Sequence, residues 1–147
     1  MVHVPYKGTG AAITDLIGGQ VPLCFCTLPS VFPHTKSGRL RAIAISSKLR
    51  SSVLPNVPTI AESGYNDFET TAWWGVFAPA NLSADTASSL IAASEQIVRS
   101  DAFRSRLEPL GVIFVALTGG ALADFQRGEL AKWGKAVRDS GAAVDQF

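Results

Sequence analysis

The segment 7–10, Lys-Gly-Thr-Gly, combines residue types that can hold a small anion. It follows a valine–proline pair and precedes an apolar-periodic run, a pattern typical of a short strand, a tight turn and a helix start. Gly8 and Gly10 allow backbone angles that a side chain would forbid, and Thr9 suits the N-cap. The free N–H groups at such a helix start attract a carboxylate or phosphate. From this segment alone a plain turn with water on those N–H groups is favoured over an anion site, because glycine turns are common and no phosphate-loop or dinucleotide pattern is present.

A second junction of this kind lies at residues 27–30, Thr-Leu-Pro-Ser. A hydroxyl residue beside a proline in the first helical turn indicates a helix N-terminus. We therefore expect exposed N–H groups there, together with the hydroxyls of Thr27 and Ser30.

Catalytic and metal-binding patterns have little support. The two histidines, His3 and His34, lack a metal-ligand spacing, and no serine stands in a nucleophile-elbow pattern. A Cys26–His34 nucleophilic pair rests only on both residue types being close in sequence. Cys24 and Cys26 would share one face of a strand, where a mutual disulfide is poorly placed, so we expect two small buried side chains. We predict no catalytic residue, metal or cofactor.

The composition describes a globular chain with a core. Of the 147 residues, 47% are hydrophobic and 17% are charged. The formal net charge is +1 with scattered basic residues, which argues against a nucleic-acid partner. No apolar run reaches the roughly 20 residues of a membrane span. The first residues lack the charged and apolar regions of a signal peptide.

Hydrophobic periodicity predicts alternating strands and helices. Strands are expected at 21–28, 40–46, 68–79 and 112–115. Helices are expected at 9–18, from 28 to about 37, at 56–62, from 83 to about 98, at 102–107 and from 122 to about 137. The helix capped by Ser83 should bury Leu90, Ile91, Ile97 and Val98. This order predicts an α/β fold with covered, largely parallel strands.

Five segments in a fixed order point to a family. They are VPYKG at 4–8, DLIGGQV at 15–21, LPNVPTIAESG at 54–64, WGVFAP at 74–79 and ELAKW at 129–133. Together they resemble the extracytoplasmic solute receptors of the tripartite tricarboxylate transporter family, also called Bug receptors. The resemblance covers nearly the whole chain.

The resemblance implies a non-catalytic periplasmic receptor. Its fold would be α/β, of the periplasmic-binding-protein (type II-like) kind, with a sheet flanked by helices. Family members have two domains that close on a small carboxylate like a Venus flytrap, and they pass it to membrane permease subunits. The ligand is held by backbone N–H groups and hydroxyls at helix N-termini. Carried onto this chain, the ligand-binding residues would be Tyr6, Lys7, Gly8, Thr9, Gly10, Cys26, Thr27 and Ser30.

Two departures accompany the resemblance. The chain looks like the C-terminal half of a receptor, truncated at its N-terminus: 1–70 would be the remainder of the second lobe, and 71–147 the crossing strand and helices that return to the first. The uncovered apolar face would then favour a homo-oligomer, and the alternative function is a self-associating module without ligand binding. Cys26 stands where the family usually has an acidic residue, and a thiol is a weak donor and acceptor.

Overall fold

The computed structural model describes residues 2–141, which divide into two compact units. The first unit comprises residues 2–82 and 99–113, and the second comprises residues 83–98 and 114–141. The α-helices are α1 (Thr9–Ile17), α2 (Leu28–Lys36), α3 (Ala84–Arg99), α4 (Asp101–Leu107) and α5 (Gly119–Ser140). Two short 3₁₀ helices cover Ala61–Ser63 and Glu108–Leu110. The proposed lobe boundary at about residue 70 concerns a whole receptor and stays a prediction.

Helix α1 forms where the sequence predicts it. Ala12 and Ile13 give it a buried apolar face, and they are the buried hydrophobic residues of the described chain. The helix ends at a glycine pair, as expected: the Gly18 N–H donates to the Thr14 carbonyl at 2.9 Å, and Gly19 has a φ of 73°. A left-handed residue directly after a helix is a common stop, because it satisfies the last carbonyls.

Helix α2 is held in place by a close approach of the backbone at Gly111. It contacts the 3₁₀ helix Glu108–Leu110, which ends at Gly111 with a φ of 81°. A Cβ atom at Gly111 would lie 2.5 Å from Leu28 Cδ2 and 3.0 Å from Val53 Cγ2. Glycine is therefore required there on two grounds, its backbone angle and the space taken by Leu28 at the start of α2.

The predicted strands are wrong for residues 2–141. The segments at 21–28, 40–46, 68–79 and 112–115 carry no strand ladder, and the pairing present is one parallel bridge between Ile45 and Thr59. The Ile45 N–H donates to the Pro58 carbonyl and the Ile60 N–H donates to the Ile45 carbonyl, both at 2.9 Å. A strand requires a hydrogen-bonded neighbour along its length; within the described residues these segments have this bridge and a further bond between two of them, from the Thr70 N–H to the Ser46 carbonyl at 2.9 Å.

The bridge continues into a compact corner built on Thr59, which is 1% exposed. The Glu62 N–H donates to the Thr59 hydroxyl at 3.0 Å, and Glu62 Oε2 accepts from the Thr59 N–H at 2.7 Å. This reciprocal pair has the hydrogen-bond pattern of a capping box and lies just before Ile60, the N-cap of the 3₁₀ helix Ala61–Ser63. Arg50 Nε donates to both carboxylate oxygens of Glu62, at 3.0 and 2.8 Å. These bonds, led by the one from Arg50, lower the pKa of Glu62.

The second unit consists of α3, the segment 114–118 and α5. The Ser83 hydroxyl accepts from the Thr86 N–H at 3.2 Å, which confirms Ser83 as the cap of α3. The expected burial of the apolar stripe on α3 is wrong for Leu90, Ile91 and Ile97, which are exposed, while Val98 is half-buried. Helix α5 ends at a left-handed glycine, residue 141, as the sequence predicts.

Candidate functional site

Tyr6 ties the first turn to α1. Its hydroxyl donates to Asp15 Oδ2 at 2.9 Å. This hydrogen bond, with lesser contributions from desolvation and from the charge of Asp15, raises the pKa of Tyr6 above its usual value. The phenol therefore stays protonated, and its hydrogen is committed to Asp15. What Tyr6 offers a ligand is an oxygen that accepts, and its clearest role is to hold the turn against the helix.

The start of α1 is open. Gly8 is its N-cap, with a φ of 160° and a ψ of 160°, and no side chain caps the helix. Thr9 is the first helical residue, so the expected role of Thr9 as N-cap is wrong. The nearby Thr14 hydroxyl donates to the Gly10 carbonyl and does not accept from a first-turn N–H. The N–H groups of Thr9, Gly10 and Ala11 have no acceptor within the helix, as in every α-helix.

The two glycines of this turn matter because they lack side chains, and not because they adopt special backbone angles. Gly8 is extended, which any residue can adopt, and Gly10 has an ordinary helical conformation, so the expected need for special angles is wrong. A Cβ atom at either position would meet nothing within 4 Å. The absence of side chains leaves the first N–H groups of α1 accessible from outside.

The start of α2 offers hydroxyls in place of the expected row of N–H groups. Thr27 is the N-cap, Pro29 has no N–H, and the Ser30 N–H donates to the Thr27 carbonyl at 3.0 Å. The Thr27 and Ser30 hydroxyls share one hydrogen bond of 2.8 Å. Since two hydroxyls carry two hydrogens and this bond uses one, a second O–H can donate outward.

Cys24 and Cys26 form a disulfide, contrary to expectation. Their Cα atoms lie 5.8 Å apart, within the usual span of a disulfide, because this segment is not part of a regular sheet. Both residues are half-buried and not core side chains. Cys26 therefore presents a bonded sulfur and no thiol, which also removes the Cys26–His34 nucleophilic pair.

Helices α1 and α2 pack against each other and leave a groove of about 430 Å³. Its lining residues are Gly10, Ile13, Thr14, Ile17, Ser30, His34 and Arg39. Of the predicted ligand-binding residues, Gly10 and Ser30 meet in this groove. The other six lie outside its lining, and Lys7 is exposed.

Sequence reasoning missed His34 and Arg39 as groove residues. Local charge was the available signal: residues 2–50 contain six lysines and arginines and a single acidic residue, Asp15. The small overall net charge conceals this excess, because acidic residues predominate in the remainder of the chain. Within residues 2–141, no group of three metal-ligating side chains occurs, and no helix is long and apolar enough to span a bilayer.

A protein family matches this sequence over almost its whole length. The sequence profile described as "Tripartite tricarboxylate transporter family receptor" matches residues 1–142. The chain belongs to this family, as its sequence motifs predict. Its members are solute receptors and not enzymes, which confirms the prediction of a non-catalytic protein.

Individual relatives extend this result. The chain is 36% identical to protein BugT of Bordetella pertussis over 141 residues, which cover 96% of this chain and 43% of BugT. It superposes on the periplasmic binding protein BugD with a TM-score of 0.86 and 29% identity, over 94% of this chain and 47% of BugD. It superposes on R. palustris Rpa4515 with adipate with a TM-score of 0.81 and 33% identity, over 95% of this chain and 47% of that one. The predicted periplasmic-binding-protein fold is thus confirmed, and the chain spans about half the length of these relatives or less.

Proposed function

We propose that this chain contributes one wall of a periplasmic cleft that captures a small carboxylate for a tripartite tricarboxylate-type transporter. In this proposal residues 1–70 belong to one lobe of a Venus-flytrap receptor, and 71–147 lead to the other. Membrane permease subunits receive the ligand. Family membership and the adipate in the similar Rpa4515 structure support a carboxylate ligand.

The observation that carries the proposal is the uncapped start of α1. The three first-turn N–H groups of α1 donate to no side chain, and Gly8 and Gly10 have no side chain that could cover them. The positive end of a helix dipole favours an anion there. The outward O–H of the Thr27–Ser30 pair adds a neutral donor, and Lys7 is available to add charge.

A thermal shift with adipate tests the proposal. A ligand that binds only the folded state stabilises it, and the melting temperature rises as the ligand concentration exceeds Kd. At a hundred times Kd the stabilisation is about 2.7 kcal/mol. Hexanediol is the matched control, because it keeps the carbon chain and lacks both charges. Adipate should raise the melting temperature and hexanediol should not. Equal responses, or none at any concentration, would contradict the proposal.

The second candidate is a self-associating module without ligand binding. It is favoured by large apolar side chains that the first unit leaves exposed, among them Phe25, Trp74, Val76 and Ile113. Exposed apolar patches of this kind often mark association surfaces. Sedimentation velocity over a range of concentrations separates the candidates: a stable oligomer that no carboxylate stabilises would favour this one, and a folded monomer at high dilution would exclude it.

A further inference from the structure

The groove between α1 and α2 is formed by one face of each helix. Gly10, Ile13, Thr14 and Ile17 have the spacing i, i+3, i+4 and i+7, which places them in a single row along α1. Ser30 and His34 are four residues apart and face this row from α2. Along the helix axis this spacing is about 6 Å, so the two side chains lie at separate points of the groove.

Arg39 joins the groove through the backbone of His34. The His34 carbonyl accepts from the Arg39 N–H at 2.9 Å and from the Leu40 N–H at 3.1 Å. Gly38, with a φ of 73°, permits the turn that brings the chain back. The imidazole and the guanidinium that line the groove are therefore carried by one hydrogen-bonded turn at the end of α2.

The groove has an apolar floor and a basic end. Ile13 is buried and Ile17 is half-buried, and both face the groove. Among residues 2–141 no carboxylate forms an ion pair with Arg39. The acidic residues that flank Arg39 in sequence are Asp15, whose carboxylate accepts from Tyr6, and Glu62, whose carboxylate accepts from Arg50 and Thr59. An arginine without a counterion beside an apolar surface is complementary to an anion with an apolar tail.

We propose that this groove holds, at its Arg39 end, a second site for a monocarboxylate with a short aliphatic chain; the other end of the groove shares Gly10 and Ser30 with the starts of α1 and α2. Arg39 holds the carboxylate through its guanidinium fork, and His34 donates to the same group. The aliphatic chain lies on Ile13 and Ile17. The volume of about 430 Å³ is within the usual range for small-molecule sites.

Calorimetric titration of the full chain with hexanoate tests this site, with hexanol as the neutral control. Arg39→Ala should weaken hexanoate binding about tenfold, the effect of losing one charge-assisted contact. Arg41→Ala is the matched control, because Arg41 is exposed, carries the same charge and lies outside the groove lining. It should change hexanoate affinity by less than about twofold. His34→Gln should weaken binding by a smaller factor than Arg39→Ala, and circular dichroism checks that each variant is folded.

Three results would overturn the site: no binding of hexanoate, equal binding of hexanol, or equal losses in Arg39→Ala and Arg41→Ala. The last would reveal a diffuse effect of positive charge. The site does not rest on the proposed receptor function. Hexanoate binding that depends on Arg39 would stand even if adipate left the melting temperature unchanged, and its failure would leave the adipate result untouched.

Discussion

Two helix starts in the first unit treat their backbone N–H groups in opposite ways. At the Thr59 corner, a hydroxyl, a carboxylate and a guanidinium satisfy one another and the backbone. At the start of α1, a glycine stands in the N-cap position and no side chain reaches the first-turn N–H groups. The first arrangement holds the chain together, and the second leaves donors for a partner. In the proposed receptor, the start of α1 belongs to the binding wall and the Thr59 corner to its support.

Gly111→Ala should have the largest effect, because the wall depends on the packing behind α2. The new Cβ would collide with Leu28, and alanine would have to adopt a left-handed backbone angle. The two costs together suggest a loss of about 2–4 kcal/mol in unfolding free energy, measured by urea denaturation. Gly128→Ala in α5 is the control: its Cβ meets nothing, and it should stabilise by up to about 1 kcal/mol. Similar values for both variants would show that Gly111 does not hold α2 in place.

Thr59→Val breaks the satisfied corner while conserving side-chain shape. It removes the hydroxyl that accepts from the Glu62 N–H and leaves that donor, beside the buried Thr59, without this partner. The expected cost is about 1–3 kcal/mol in unfolding free energy. Thr71→Val, at an exposed position, should change stability by less than about 0.5 kcal/mol. A neutral Thr59→Val would mean that the capping box contributes little to the fold.

Acid should weaken the corner through Glu62. Its pKa is lower in the folded chain than the ordinary value of 4.5, so the folded state favours the ionised carboxylate. That contribution is present above the ordinary pKa and is lost as pH falls through the lower, folded one. The melting temperature should therefore fall with acid in this range, and Glu62→Gln should make the fall shallower. Asp67→Asn, on an exposed loop residue, should leave the slope unchanged; an equal change in both variants would contradict this role of Glu62.

Local signals predicted the five α-helices, but the helix expected at 56–62 is a 3₁₀ helix at Ala61–Ser63, and the predicted strands are absent from residues 2–141. Helix ends follow from glycines that can adopt left-handed angles, as at residues 64, 111 and 141. Strands depend on a neighbour that sequence periodicity does not identify, and Ile45 paired with Thr59 is the bridge that formed. The Cys24–Cys26 disulfide was missed because the expected strand geometry was wrong there.

The candidate site was predictable to a similar degree. The glycine turn and the Thr27–Ser30 pair were identified from residue types at helix starts. The sequence could not show which N–H groups already have an acceptor. The Ser30 N–H, for example, donates to the Thr27 carbonyl. Arg39 reaches the groove through a turn after α2, which sequence periodicity does not reveal.

Thr9→Pro tests whether the first N–H groups of α1 bind a carboxylate, as the proposed function requires. Proline is favoured at the first helical position, so this variant removes one N–H and keeps the helix. Thr9→Ala is the matched control, because it removes the side chain and keeps the N–H. By calorimetry with adipate, we expect Thr9→Pro to weaken binding about tenfold and Thr9→Ala by less than about twofold. Unchanged adipate affinity in a folded Thr9→Pro variant would contradict the claim.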